Sequence, residues 1–441
     1  MTERTHGDRP LVAIVGRPNV GKSTLFNRLA KERIAIVESV PGVTRDRLYA
    51  PANWNGREFL LVDTGGITDS RDSLDKQVSD QALLAAAEAD LVLFLVDARD
   101  GLLPMDKEIG GLLRRVGKPV LLVANKAESM PAPEAEFYPL GLGEPMPLSA
   151  EHGLRVGDLL DQIVALLPPA GTNPEPAGIA VAVVGRPNVG KSSLVNALLG
   201  DKRVITGDRP GTTRDAIDTK LSYEGNELTL IDTAGIRRSA RVEERIEYYS
   251  VLRALKAIER CDVTLLVLEA GDPATIQDQH IAGIAHDAGK ACLILVNKWD
   301  LVAKEEKDTR VFKDRIRTAM EFMDYAPIEF ISARTGYGMK HVLPLIISAA
   351  AEHARRIPTS RLNEVLNEAV LMHEPPSYKG RKLRLYYASQ VRAKPPLIAI
   401  QVNDPDLVHF SYRRYLENRF REAFGLSGTP LWLNFKPRLR H

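Results

Sequence analysis

Short apolar runs recur along the chain between segments of helical period. Residues 12–15 and 181–184 are four-residue runs without a polar interruption, the pattern of a strand buried on both faces of a parallel sheet. Residues 59–62 repeat it, residues 228–231 do so with a single threonine, Thr229, inside, and each of these runs leads into an aspartate. Residues 79–89 carry their apolar side chains at helical spacing and lead into another continuous run, residues 91–96. Strands alternating with amphipathic helices predict an α/β fold, a doubly wound and mostly parallel sheet covered by helices, and the pattern occurs twice. Residues 168–176 are rich in proline with glycine and asparagine, so the expected boundaries are 1–167, a linker at 168–178, and 179–351.

From residue 352 the pattern changes. Leu362, Val365, Leu366, Ala369 and Val370 predict a helix, with Thr359 and Ser360 as its caps. Residues 382–391 alternate as a strand does, Pro395 and Pro396 make a turn, and Leu397–Val402 reads as a second strand. Residues 408–424 read as a helix and residues 431–435 as a last strand. This α-β-β-α-β order predicts a small α+β domain over 352–441.

The repeat is carried by chemistry as well as by hydropathy. Gly16-Arg17-Pro18-Asn19-Val20-Gly21-Lys22-Ser23 returns as Gly185-Arg186-Pro187-Asn188-Val189-Gly190-Lys191-Ser192, 169 residues on. Both fit the phosphate-loop pattern, in which glycines turn backbone N–H groups toward phosphates and the next helix adds its positive end. Lys22 and Lys191 are expected to reach the β- and γ-phosphates, and Ser23 and Ser192 to ligate Mg2+. Asp63-Thr64-Gly65-Gly66-Ile67 returns as Asp232-Thr233-Ala234-Gly235-Ile236; Asp63 and Asp232 match the acidic residue of the magnesium shell. Thr44 and Thr213 stand where a mobile loop would close over metal and phosphate, and Gly66 and Gly235 could offer an N–H to that phosphate.

Base choice falls to Asn125-Lys126-Ala127-Glu128 and Asn297-Lys298-Trp299-Asp300. A carboxylate at the fourth position accepts two hydrogen bonds from the guanine edge, whereas adenine presents the wrong donor pattern. Glu128 departs from the expected aspartate by one methylene, keeping the charge but requiring a shifted geometry toward guanine at the first site. Ser149-Ala150 and Ser332-Ala333 complete the set, with the Ala150 and Ala333 N–H groups expected to face the guanine oxygen. The spacing between the last two elements implies about ten extra residues in the second copy, placed in the charged stretch 304–317. Ile67 and Ile236 occupy the place where many regulatory GTPases keep a water-orienting glutamine, which predicts slow intrinsic hydrolysis. Asn19 and Asn188 suggest an ion instead, because phosphate loops with Pro-Asn in this place resemble those that bind potassium.

Composition adds three bounds. The 441 residues allow about three domains. Two cysteines, Cys261 and Cys292, lie in or beside apolar runs and read as buried free thiols, which fits a reducing cytosol. The polar first ten residues resemble no signal peptide, and no apolar run is long enough to span a bilayer, so a cytoplasmic protein without stable membrane association is expected. The net charge of +2 hides an asymmetry: residues 352–441 hold 16 Lys+Arg against 8 Asp+Glu. That basic third module is where a nucleic-acid surface would lie, with Arg381, Arg384, Arg413 and Arg414 as candidate contacts. Its Gly425-Leu426-Ser427-Gly428 has the letters of an RNA-clamping loop but sits between a helix and a strand, so Gly425 reads as a helix C-cap.

Two tandem GTPase domains with Pro-Asn phosphate loops, followed by a KH-like module, resemble the bacterial Der family, also called EngA, over nearly the whole chain. The resemblance implies a GTPase that uses GTP/GDP and Mg2+, assists late maturation of the large ribosomal subunit, and contacts rRNA rather than DNA. It also implies that nucleotide state rearranges the first GTPase domain against the rest; a monomer is expected. A GTP-sensing scaffold whose hydrolysis is incidental is the alternative, and a tRNA-modification GTPase is less favoured because no cofactor-binding segment is evident.

Overall fold

The computed structural model describes residues 9–31, 49–64, 74–128, 133–169, 178–200, 205–206, 218–233, 247–375, 377–378 and 381–438. The chain divides into two compact units, residues 1–174 with 251–256 and residues 175–250 with 257–441.

In the first unit the strands are β1 (Leu11–Val15), β2 (Tyr49–Trp54), β3 (Arg57–Asp63), β4 (Leu91–Asp97), β5 (Val120–Asn125) and β6 (Met146–Pro147). They lie in the order β2-β3-β1-β4-β5-β6, all neighbours parallel except β2 with β3. Every residue of β1 and β4 is buried, as the unbroken apolar runs require of strands covered on both faces. Helices α1 (Lys22–Lys31), α2 (Leu74–Glu88), α3 (Pro104–Val116) and α4 (Val156–Leu166) flank the sheet. Phe59, Leu61, Leu93 and Leu95 meet Leu25, Phe26, Leu159 and Ile163 in one apolar cluster.

The second unit repeats this layout with β7 (Ile179–Val184), β8 (Ile205–Thr206), β9 (Thr219–Tyr223), β10 (Asn226–Ile231), β11 (Val263–Glu269), β12 (Ala291–Asn297) and β13 (Ile328–Phe330). Its order is β13-β12-β11-β7-β10-β9-β8, the first sheet read backwards with one strand added at the β9 edge. The helices are α5 (Lys191–Leu199), α6 (Glu247–Arg260), α7 (Ile276–Asp287), α8 (Thr309–Ala319) and α9 (Val342–Ala354). Equivalent aspartates close equivalent corners: Asp90 accepts from Leu11 N–H at 2.8 Å and Asp262 from Ala180 N–H at 3.1 Å. The extra length of the second repeat is α8, and α9 runs past residue 351 to Ala354.

The third module belongs to the same unit. It comprises α10 (Thr359–Met372), a short hairpin of β14 (Ser377–Tyr378) and β15 (Arg381–Lys382), then β16 (Leu385–Arg392), β17 (Leu397–Val402), α11 (Phe410–Phe424) and β18 (Trp432–Pro437). Both helices pack on one face of the β16-β17-β18 sheet, with Leu362, Leu366, Leu416, Phe420, Ile398 and Ile400 in the core. The expected strand 382–391 is broken because the Asn403 side chain takes its backbone off the ladder: Arg384 N–H donates to Asn403 Oδ1 at 2.8 Å, and Asn403 Nδ2 donates to Lys382 O at 3.0 Å. Thr359 and Ser360 lie inside α10 rather than capping it; Pro358 takes the cap position and makes no side-chain bond there. Gly425 does end α11, with φ of 82°.

This module is fastened to the second GTPase domain by backbone. Cys292 N–H, at the start of β12, donates to Gly428 O at 2.7 Å, and Gly428 N–H donates to Tyr325 O at 2.8 Å. Around that seam His353 bonds Thr429 at 2.8 Å, Lys394 pairs with Asp262 at 2.8 Å, and the Arg421 guanidinium lies 5.0 Å over the Tyr325 ring. Cys261 and Cys292 are buried and unbridged, as their apolar surroundings predict. Among the described residues no helix is long and apolar enough to cross a membrane.

Candidate nucleotide sites

Each phosphate loop leaves the C-terminal end of the central strand, β1 or β7, where the chain winds to β3 on one side and β4 on the other, or to β10 and β11. In doubly wound sheets that crevice is where ligands bind. The loop hugs the sheet so closely that a Cβ on Gly16 would overlap Leu95 O, and one on Gly185 would overlap Val267 O. Val20 and Val189 are fully buried and hold each loop down, while Asn19 and Asn188 sit in left-handed conformation at φ of 64° and 62°. Asparagine tolerates that conformation better than other residues with a side chain, so backbone geometry alone also favours it here.

The amines of the two lysines fold back across the loop. Lys22 Nζ donates to Gly16 O at 3.0 Å and Arg17 O at 2.9 Å; Lys191 Nζ donates to Gly185 O at 2.9 Å and Arg186 O at 2.7 Å. Burial pushes the Lys22 amine below the usual lysine range, with the Asp63 carboxylate opposing the shift. An amine held on two carbonyls at the mouth of a helix N-terminus is poised to exchange those bonds for phosphate oxygens.

The loop arginines do not face the hollow. Arg17 pairs with Asp100 at 2.7 Å and lies 3.4 Å from Asp106; Arg186 reaches Asp278 at 3.1 Å and Asp272 O at 2.9 Å. Asp106 and Asp278 are fully buried capping-box residues in the first turns of α3 and α7. Arg17 and Arg186 therefore contribute backbone to the loop while their side chains tie it to the next crossover. The register of the two repeats, which puts Asp106 opposite Asp278, was the signal that could have found this pair.

Near the first loop Ser23 Oγ donates to Asp63 Oδ2 at 2.6 Å. A hydroxyl and a carboxylate oxygen side by side, both hard donors, suit a magnesium ion. In the second site Asp232 is left-handed at φ of 54°, and its N–H donates to Asp218 Oδ1 at 3.0 Å; Asp218 in turn pairs with Arg260 at 2.5 Å. Thr64 Oγ1 donates to Ile14 O at 2.9 Å, and Thr233 bonds Thr219 at 2.6 Å, so both threonines brace the strand end. Thr44, Gly65, Gly66, Ile67, Thr213, Ala234, Gly235 and Ile236 lie outside the described residues.

The guanine loops are joined to the phosphate loops by one asparagine each. Asn125 Nδ2 donates to Val20 O at 2.8 Å while its Oδ1 accepts from Ala150 N–H at 2.9 Å; Asn297 does the same with Val189 O at 2.8 Å and Ala333 N–H at 3.0 Å. The Ala150 and Ala333 N–H groups thus point at the asparagine oxygens, a departure from the expectation that they face the base. Both asparagines are buried, where an unpaired amide would cost about 1–3 kcal/mol. Lys126 spans from Asn19 O (2.9 Å) to Asp97 (2.5 Å), and Lys298 pairs with Glu269 at 2.7 Å. Trp299 is buried against Phe312 and Phe330, which anchors the second loop to α8.

The carboxylates differ in length yet meet the same partner. Glu128 Oε1 accepts from Ser149 Oγ at 2.8 Å, and Ser332 makes the matching bond to Asp300, helping to hold that carboxyl below its usual range. Backbone bonding at Glu128 itself, with Ser149 and Arg99, does the same for its carboxyl.

Comparison with known proteins gives a consistent result. A family described as "50S ribosome-binding GTPase" matches residues 11–126 and again 180–298, and one described as "KH-domain-like of EngA bacterial GTPase enzymes, C-terminal" matches 356–436. GTPase Der of Moorella thermoacetica is 54% identical over 431 residues, covering 97% of this chain and 98% of that relative. GTPase Der of Symbiobacterium thermophilum is 54% identical over 436 residues, covering 98% and 93%. Among solved structures, a point variant of Aquifex aeolicus Era bound to GDP and aluminium fluoride aligns with TM-score 0.30 and 22% identity, covering 74% of this chain and 92% of that one.

Proposed function

Because the chain belongs to the GTPase Der family, and so binds and hydrolyses GTP, we propose that its two nucleotide sites work as a conformational switch in assembly and maturation of the large ribosomal subunit. The observation that carries this reading is the match of both halves to a family described as ribosome-binding, beside a third module with 16 basic and 8 acidic residues fixed to the second GTPase domain.

In this reading Lys22 and Lys191 leave the loop carbonyls for the β- and γ-phosphates, and the loop N–H groups cradle the same oxygens. Ser23 with Asp63, and Ser192 with Asp232, would hold Mg2+, which when bound supplies charge neutralisation on the phosphates. Asn125 and Asn297 lock base recognition to phosphate recognition, so that Glu128 and Asp300 meet the guanine edge only when the phosphate loop is formed. Thr44 and Thr213 close on the triphosphate, with Gly66 and Gly235 offering N–H groups. Ile67 and Ile236 can neither donate nor accept a proton, which makes unassisted hydrolysis slow; Asn19 and Asn188 would hold potassium as the compensating charge. The protein acts as a cytoplasmic monomer, with Arg381, Arg384, Arg413 and Arg414 facing rRNA.

Co-sedimentation with purified subunits tests the reading. Loaded with a non-hydrolysable GTP analogue, the protein should pellet with the large subunit and release steeply as salt rises, because phosphate contacts shed counterions. Equal binding in the GDP form, or none in either form, would defeat it.

A further inference from the structure

The two guanine loops share a fold but not the charges around their carboxylates. Lys126 with Asp97 and Lys298 with Glu269 place the turns after β4 and β11 in register, which sets Arg99 opposite Gly271. Ser149-Ala150 and Ser332-Ala333, each followed by a left-handed glycine (Gly153 at 74°, Gly336 at 83°), set Glu151 opposite Arg334. In the second loop Arg334 supplies positive potential to Asp300, and a Cβ at Gly271 would meet nothing within 4 Å. In the first loop position 151 is acidic, and the cation comes from the other turn: Arg99 Nη2 donates to Glu128 Oε2 at 3.2 Å. Each loop thus sets one arginine toward its carboxylate, from the turn after β4 in the first and from the Ser-Ala turn in the second.

We propose that Arg99 is a positioning residue that sets guanine affinity in the first site by holding Glu128 in the place of the usual shorter aspartate. The proposal rests on the guanine reading of that site. Glu128 has one more rotatable bond than Asp300, so a single anchor leaves its carboxylate free to turn away from the base. Here both oxygens are anchored, Oε1 by Ser149 at 2.8 Å and Oε2 by Arg99. A carboxylate offers about four acceptor sites; Ser149 and Arg99 take one on each oxygen, and the two donors of the guanine edge would take the remaining two in place of the Glu128 backbone N–H. Arg99 is itself fixed at its base, where its N–H donates to Asp97 Oδ1 at 2.9 Å, and Asp97 is paired with Lys126 of the same guanine motif. The Glu128 side chain is 13% exposed and that of Arg99 59%, so the pair is a partly screened one.

The test is fluorescent-GDP titration of the full chain, with the first site read in a Lys191→Ala background and the second in a Lys22→Ala background. Arg99→Ala should weaken GDP at the first site by about three- to tenfold, the range of a partly exposed charged hydrogen bond. Arg99→Lys should recover part of the loss. Adding Glu128→Asp should make Arg99→Ala worth less than about twofold, because the shorter carboxylate no longer reaches position 99. The second site should be unaffected, which separates a local role from misfolding. An equal loss with and without Glu128→Asp, a tighter first site after Arg99→Ala, or weakening at both sites would overturn the proposal. If the first site of the Lys191→Ala protein bound ADP as well as GDP, the guanine reading itself would fail.

Discussion

Replacing Gly428 by alanine should loosen the third module from the second GTPase domain, and the structure gives the size of the effect. Gly428 has φ of 77°, and its N–H and C=O are both committed across the seam, to Tyr325 O at 2.8 Å and from Cys292 N–H at 2.7 Å. A Cβ there would stand 2.8 Å from the Ala349 Cβ on α9, with no flexible side chain to yield. The left-handed backbone costs a residue with a side chain about 1–2 kcal/mol, and forced overpacking adds about 1–3 kcal/mol. Gly225, in the turn between β9 and β10 of the same unit, is the internal control, since its φ is 80° but an added Cβ would meet nothing within 4 Å. Gly225→Ala should therefore lose only the backbone share, about 1–2 kcal/mol. Two of the three tryptophans, Trp299 and Trp432, lie in this unit, so intrinsic fluorescence follows its melting. At about 2–4 °C per kcal/mol for a unit of this size, Gly428→Ala should melt roughly 2–12 °C below Gly225→Ala. Equal melting points would refute the overlap with α9, and with it the reading of the seam as a close-packed joint.

Three further outcomes follow from the same geometry. Asn297→Ala leaves Val189 O and Ala333 N–H without their partner, and should weaken GDP at the second site by roughly 30-fold or more in a stopped-flow or titration assay. Turnover should be higher in potassium than in sodium, and Asn19→Gly with Asn188→Gly, which keep the left-handed loop, should remove that difference; equal rates in the two salts for the unaltered protein would exclude the ion. Burial, aided by the Arg421 charge, lowers His286 from its ordinary 6.5 to about 4, so the folded state resists protonation that the unfolded state accepts. The stability this represents, about 3 kcal/mol, is present above pH 6.5 and is lost as the pH falls toward 4; urea midpoints of His286→Gln should lack that acid slope.

The parts of the fold that were legible in the sequence are those fixed by short-range chemistry. Unbroken apolar runs announced β1, β3, β4 and β7, and Lys22 and Ser23 end a loop whose first glycine, Gly16, lies too close to Leu95 O for any side chain. The third-module order was readable for the same reason, since its helices bury Leu362, Leu366, Leu416 and Phe420 at helical spacing. What escaped depends on partners far along the chain. The Asn403 side chain breaks the strand expected at 382–391, and Asp106 and Asp278 draw Arg17 and Arg186 off the phosphate side. Nothing local to Ala150 or Ala333 tells that its N–H will find an asparagine 25 or 36 residues upstream. The Gly425–Gly428 segment was legible as a helix stop, but its role as the joint with β12 required the second domain to be seen beside it.

The central claim is that nucleotide turnover, and not the folded scaffold alone, drives subunit maturation. The most direct measurement is the sucrose-gradient profile of ribosomal particles from cells whose only copy of this protein carries Lys22→Ala and Lys191→Ala. Accumulation of immature large-subunit particles at normal protein levels is the predicted result. A normal profile would contradict the switch and leave the protein a scaffold whose hydrolysis is incidental.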